Sequence, residues 1–130
     1  MQDWLKIRTC KLGDVMGYDL YNELMKKSNE LDVSIKSLRK TGQDYAEAYT
    51  NYRVELAKEL MNLKSEGYAI TLAGDIARGK PDIARLKFKE ITTEAIYKAN
   101  MESINALKLQ IKLLQNQIDK EYSLSVKDEF

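Results

Sequence analysis

Apolar and tyrosine residues recur every seven positions over the first half of this 130-residue chain. One series consists of Leu24, Leu31, Leu38, Tyr45 and Tyr52, and a second, interleaved series consists of Ser28, Ile35, Gly42, Tyr49, Leu56 and Leu63. Two such series are typical of a long helix that packs along one stripe. We therefore expect one helix over about residues 20–66, because the phase passes through Gly42 without a slip. Two helices broken at Gly42 are the alternative.

A second stripe predicts another long helix over about residues 81–122. It consists of Ile83, Leu86, Tyr97, Ile104, Leu107, Ile111, Leu114 and Ile118. Pro81 suits the first helical position, and Asp82 suits the positive end of the helix. The connector, residues 67–80, is expected to hold a short helix over residues 72–78. Gly67 would be the left-handed cap before it, Thr71 its N-cap and Gly79 its stop.

The two ends of the chain lack these stripes. Residues 1–17, in which Gly13 and Gly17 bracket Met16, are expected to form an arm without helical periodicity. That arm is either loosely attached or docked through Trp4, Leu5 and Ile7. Residues 123–130 are expected to form a short polar tail. The helical domain would therefore span residues 18–122.

The lengths of the two predicted helices bear on assembly. They would be about 70 Å and about 63 Å long, whereas a compact chain of this size would have a diameter near ~36 Å. We expect an all-α fold, an elongated antiparallel helical hairpin that self-associates as a coiled-coil-like bundle. The expected oligomer interface comprises Leu24, Leu31, Ile35, Leu38, Tyr45, Tyr49, Tyr52, Ile104, Leu107, Ile111, Leu114 and Ile118.

Composition argues against catalysis. The chain has no histidine and one cysteine, so a Ser-His or Cys-His pair and a cysteine-cluster metal site are excluded. Cys10 lies near Arg8 and Lys11, and we interpret it as a bystander thiol. Glu90 is the only acid on a predicted stripe, which disfavours a carboxylate cage. We expect a non-enzymatic protein with no catalytic residue, metal or cofactor.

The sequence also bears on location. No apolar run approaches the ~20 residues that span a bilayer, and the first residues lack the features of a signal peptide. With six glycines and one proline, the chain has too few turn residues for a sandwich or barrel. We expect a cytoplasmic protein that has no membrane partner.

A basic segment lies where the connector meets the second long helix. It carries Arg78, Lys80, Arg85, Lys87 and Lys89 against two aspartates, Asp75 and Asp82, a local excess of +3. Such a cluster at a helix N-terminus is typical of a phosphate-binding site, although solvated surface cations are the alternative. Arg53, Lys58 and Lys64 form a second candidate group beside the tyrosines at 45, 49 and 52. Those tyrosines either pack in the core or stack on bases.

Four stretches carry a resemblance to a known group of proteins. Tyr49-Thr50-Asn51-Tyr52-Arg53, Leu63-Lys64-Ser65-Glu66-Gly67 and Asp75-Ile76-Ala77-Arg78-Gly79 form the first set, and Ala95–Lys108 the second. Over residues 18–122 the chain resembles small helical proteins of Gram-positive phages and prophages, often encoded beside single-strand-binding or annealing proteins. In layout it is similar to the recombination mediator family of T-even phages, which forms rings on single-stranded DNA. The basic DNA-binding stretch of that family would fall near residues 56–60 of this chain, which are less basic.

This resemblance implies an accessory role in phage DNA recombination or replication. The expected partners are further copies of the chain, single-stranded DNA and DNA-bound recombination or replication proteins. A phage anti-defence protein that binds a host nuclease or sequesters a nucleotide signal is the first alternative. A purely structural coiled-coil adaptor is the second. The expected location is the cytoplasm of the bacterial host.

Overall fold

The structure, a computed structural model, describes residues 12–128 and the side chains of residues 18–124 within that range. Three helices follow one another: α1 (Leu12–Ser65), α2 (Ile70–Gly79) and α3 (Pro81–Asp128). Within the described part of the chain there is no strand. The prediction of an all-α protein with two long helices and a short one between them is confirmed.

Both long helices extend beyond their predicted bounds. α1 begins at Leu12, so the expectation that residues 12–17 lack helical structure is wrong. A glycine costs a helix only about 1 kcal/mol relative to alanine, and adding a turn to an existing helix avoids the cost of nucleation. α3 continues to Asp128 because no glycine or proline follows Tyr122 to end it. Trp4, Leu5, Ile7 and Cys10 lie outside the described residues.

α1 passes through Gly42 without interruption, as the unbroken heptad phase predicts. A Cβ atom at this position would lie 3.2 Å from Cε2 of Tyr97 on α3. The glycine therefore gives the Tyr97 ring room to lie against the backbone of α1. One residue before it, the Thr41 hydroxyl donates a hydrogen bond to Oδ1 of Asn100 at 2.8 Å. The middle of the heptad stripe therefore holds one hydrogen-bonded polar pair, Thr41 with Asn100, and one closely packed pair, Gly42 with Tyr97.

The turn from α1 to α2 has the predicted glycine cap. Gly67 has φ 99°, a backbone conformation that glycine adopts without a steric penalty. The Tyr68 N–H donates to the Leu63 carbonyl at 3.2 Å, and the Gly67 N–H donates to the Lys64 carbonyl at 3.1 Å. This pair of hydrogen bonds is the Schellman motif, and it satisfies carbonyls that the end of α1 would otherwise leave without partners.

The ends of α2 agree only in part with the sequence. α2 begins at Ile70 with Ala69 as its N-cap, so the prediction that Thr71 caps it is wrong. Thr71 lies within the helix because only Tyr68 and Ala69 separate Gly67 from the first helical residue, Ile70. At the other end, the Lys80 N–H donates to the Ala77 carbonyl at 3.2 Å. Pro81 then opens α3 at the position where its missing N–H costs nothing.

The described residues form two compact units, and both long helices contribute to each of them. The connector unit, Lys36–Met101, contains all of α2. Its core is a cluster from all three helices: Tyr52, Leu56, Leu63, Ala73, Ala77 and Ile83. Ala73 and Ala77 are the most buried residues of this cluster, so α2 packs closely against its neighbours through its smallest side chains.

The second unit includes residues 12–35 and 102–128. Fewer of its described side chains are buried than in the connector unit. Ile104 and Leu107 of α3 are buried there. Leu24, Leu31, Ile111, Leu114 and Ile118 are half-buried, all of them on the predicted stripes. Within this unit the Lys27 ammonium lies between two carboxylates, 3.5 Å from Glu30 and 3.9 Å from Glu23.

Candidate functional site

All eight cations that the sequence singles out belong to the connector unit, and five of them face a carboxylate. Three of these contacts are exposed ion pairs between residues three positions apart, one pair on each helix. They are Lys58 with Glu55 (3.2 Å) on α1, Arg78 with Asp75 (3.7 Å) on α2 and Arg85 with Asp82 on α3. Exposed pairs of this kind contribute only about 0–1 kcal/mol. The arginines can therefore exchange a carboxylate for a phosphate at small cost.

Lys80 is directed toward α1 and is less available. Its ammonium forms an ion pair with Glu59 of α1, which joins the start of α3 to the end of α1. The hydrogen bond to Glu59 raises the pKa of Lys80 above its ordinary value of 10.5, against the opposing effect of partial desolvation. The local excess of +3 read from the sequence is thus reduced by an acid that lies 21 positions earlier in the chain.

Lys87 also has close partners, although its side chain is half exposed. Its ammonium lies 3.0 Å from Oε2 of Glu90 and 4.8 Å from the centre of the Tyr52 ring. Glu90 is 6% exposed and is the buried acid of the connector unit. The hydrogen bond to Glu90 raises the pKa of Lys87, and desolvation opposes that rise. The structure therefore places Lys87 in the helix interface rather than with the other candidate phosphate ligands.

Phe88 is the residue that the sequence analysis missed. Its side chain is 73% exposed, and it lies about 160° around α3 from the buried Glu90. Arg85, one turn earlier, lies about 60° around the helix from Phe88, and Lys89, the next residue, lies about 100° from it in the same direction. We call Arg85, Phe88 and Lys89 the outer patch. The sequence signal was an aromatic residue between two cations at a position outside the heptad stripe.

The surroundings of Lys89 are mixed in charge. Together with Thr93 it borders a hollow of about 270 Å³ whose other wall, on α1, includes Asp44, Glu47 and Asn51. Asp44 is paired with Lys40 at 3.1 Å, and Glu47 accepts a hydrogen bond from Gln43 at 3.4 Å. Lys89 itself makes no ion pair with any described side chain. Its charge is therefore available to an anion at the outer patch.

The second predicted group is dispersed. Arg53 and Lys64 are exposed and have no ionic partner among the described side chains, whereas Lys58 is paired with Glu55. Tyr52 is buried in the core, which agrees with the core-packing interpretation. Tyr45 packs 6.0 Å from the Tyr97 ring and 6.3 Å from the Tyr49 ring, measured between ring centres. Of the three tyrosines only Tyr49 is exposed.

The residues predicted for an oligomer interface differ in how far one chain already covers them. Tyr52, Ile104 and Leu107 are buried within the single chain. Ile35 and Tyr49 remain exposed. The others are half-buried, namely Leu24, Leu31, Leu38, Tyr45, Ile111, Leu114 and Ile118. The stripes are thus the packed faces of the helices, and they are only partly covered.

The described residues lack two other kinds of feature. They contain no cluster of three or more acidic or cysteine side chains that could hold a metal ion. None of the helices in the described part combines the length and apolar character needed to cross a membrane. Comparison of the chain with protein-family models, with curated proteins and with solved structures finds no match.

Proposed function

We propose that this protein is a non-enzymatic accessory of phage DNA recombination or replication, and that it binds single-stranded DNA through the outer patch. The observation that carries the proposal is the exposed ring of Phe88, which has Arg85 one turn earlier on α3 and Lys89 as the next residue. An aromatic ring open to solvent provides a surface on which an unpaired base stacks, worth about 1–3 kcal/mol per base. The flanking cations supply contacts to the adjoining phosphates.

We include Arg78, in the last turn of α2, as a further candidate phosphate ligand. Its side chain is 60% exposed, and its pair with Asp75 is long, at 3.7 Å. The planar guanidinium groups of Arg78 and Arg85 are suited to multidentate contacts with phosphate. Lys80 and Lys87 are excluded from the proposed surface because each is engaged across the helix interface.

Phe88→Ala is expected to weaken binding of a labelled oligothymidine about tenfold, because one stacked base is lost. Tyr122→Ala is the matched control, since Tyr122 is an equally exposed aromatic residue on α3 that lies outside the connector unit. Fluorescence anisotropy at low and high salt measures both variants. Equal affinities for the wild type and Phe88→Ala, or an equal loss in Tyr122→Ala, would refute the stacking surface.

The charge contribution is tested separately with the double variant Arg85→Glu, Lys89→Glu. Each phosphate contact to a single strand contributes about 0.7 to the slope of log affinity against log salt. We therefore expect the slope to fall by at least about 1.4 in the double variant, together with a large loss of affinity at low salt. An unchanged slope would show that neither side chain contacts phosphate.

We also propose that α1 and α3 pair antiparallel as a hairpin and that the chain self-associates. In the connector unit the contacts pair Thr41 with Asn100, Tyr45 with Tyr97, and Glu59 with Lys80, an order that supports opposite directions. The exposed Ile35 and Tyr49 support further burial in an assembly. Light scattering at micromolar concentration is expected to give a multiple of the 15.0 kDa chain mass. A monomeric mass would contradict self-association.

A further inference from the structure

An apolar groove lies between the end of α1 and α2 in the connector unit. It is lined by Leu60, Met61, Lys64, Ile70 and Ala73, and its volume is about 180 Å³. A cavity of about 150 Å³ with apolar walls is large enough to bind benzene. The groove therefore has room for one aromatic or large aliphatic side chain.

Two of the apolar side chains that line this groove are largely exposed to solvent. Met61 is 73% exposed and Ile70 is 71% exposed. Contiguous exposed apolar surface of this kind marks sites of protein interaction, and methionine adapts its shape to a range of partner side chains.

The rim of the groove is positively charged at two places. The Lys64 ammonium makes no ion pair with any side chain that the structure describes. The N-terminus of α2 begins at Ile70 with no capping hydrogen bond from a described side chain and no acidic residue in its first turn. A helix start of this kind carries a partial positive charge. Both features favour a carboxylate beside the apolar space.

We propose that this groove binds a peptide segment of a protein partner in which a large apolar side chain adjoins one or more carboxylates. The apolar side chain would enter the space between Met61 and Ile70. The carboxylate would lie between the Lys64 ammonium and the first N–H groups of α2. None of the outer-patch residues lines the groove, so this binding and DNA binding are separable.

The test uses an acetylated, amidated glycine–serine peptide in which two aspartates precede a phenylalanine. The protein carries ¹³C-labelled methionine methyl groups, so Met61 reports directly from the groove. We expect the Met61 methyl signal to move saturably, while the signal of Met25, in the other unit, stays in place. A peptide with asparagines in place of the aspartates is expected to bind about fivefold more weakly.

A Lys64→Gln variant checks the rim. It should weaken binding of the aspartate peptide about threefold and leave the asparagine peptide unchanged. An unmoved Met61 signal, or equal affinities of the two peptides for the wild type, overturns the proposal. So does an oligothymidine that moves the Met61 signal as strongly as the peptide, because the groove rim would then be a phosphate site.

Discussion

The Leu63→Ala substitution is expected to lower the free energy of unfolding by about 3 kcal/mol. Leu63 is 4% exposed and contacts the cluster that joins α1, α2 and α3 in the connector unit. Removing its branched side chain leaves a space that Ala73 and Ala77 are too small to fill. The cost therefore includes the cavity as well as the lost burial. Urea denaturation followed by far-UV circular dichroism measures the change.

Met61→Ala provides the comparison for this experiment. Met61 lies two residues before Leu63 on the same helix, and its side chain points into solvent. Truncating it removes little buried surface, so the expected change is below about 0.5 kcal/mol. If Met61→Ala costs as much as Leu63→Ala, the packing described for the connector unit is incorrect.

The second large effect concerns the ion pair between Lys87 and Glu90. Lys87→Met is expected to cost about 2 kcal/mol, because it leaves the Glu90 carboxylate buried without its partner. This figure is below the 3–5 kcal/mol typical of fully buried pairs, since the Lys87 side chain is 46% exposed. The double variant Lys87→Met, Glu90→Met should recover most of the loss, because apolar side chains then replace both charges. A double variant as unstable as Lys87→Met would refute this account.

The pH dependence of the same pair has a definite sign. In the folded protein, the hydrogen bond to Glu90 raises the pKa of Lys87 above the unfolded value of 10.5. The contribution of the pair is therefore fully present below pH 10.5 and is lost as the pH rises through the folded-state pKa. The cost of Lys87→Met should be constant between about pH 7 and about pH 9 and should disappear in more alkaline solution. A cost that declines already near neutral pH would contradict the assignment.

Periodicity was sufficient to predict the helices, but local chemistry misplaced several of their ends. The heptad phase carried α1 correctly through Gly42 because packing along a stripe outweighs one glycine. Gly67 and Pro81 were found because their backbone geometry leaves few alternatives. Thr71 was misassigned as a cap because the start of α2 follows from the turn at Gly67 rather than from side-chain preference. Gly13 and Gly17 likewise did not delay the start of α1.

The candidate site was harder to predict, because its charges are balanced between helices. Counting cations near Lys80 along the chain could not reveal Glu59, which only the fold brings to it. The contact of Lys87 with the Tyr52 ring could not be predicted either, because that ring belongs to another helix. Phe88 was not among the candidate residues, which were chosen for their charge. Its place outside the stripe was the available signal.

Within the connector unit, the contacts of Thr41 and Gly42 distinguish one register between α1 and α3. A heptad stripe repeats, so by itself it is compatible with several alignments that differ by seven residues. Shifting the pairing by one repeat would press the Tyr97 ring against Ile35 or Tyr49, whose side chains fill the space that Gly42 leaves open. It would also separate the Thr41 hydroxyl from Asn100. Thr41 and Gly42 thus distinguish the observed register from registers shifted by one heptad, which the repeating stripe alone does not separate.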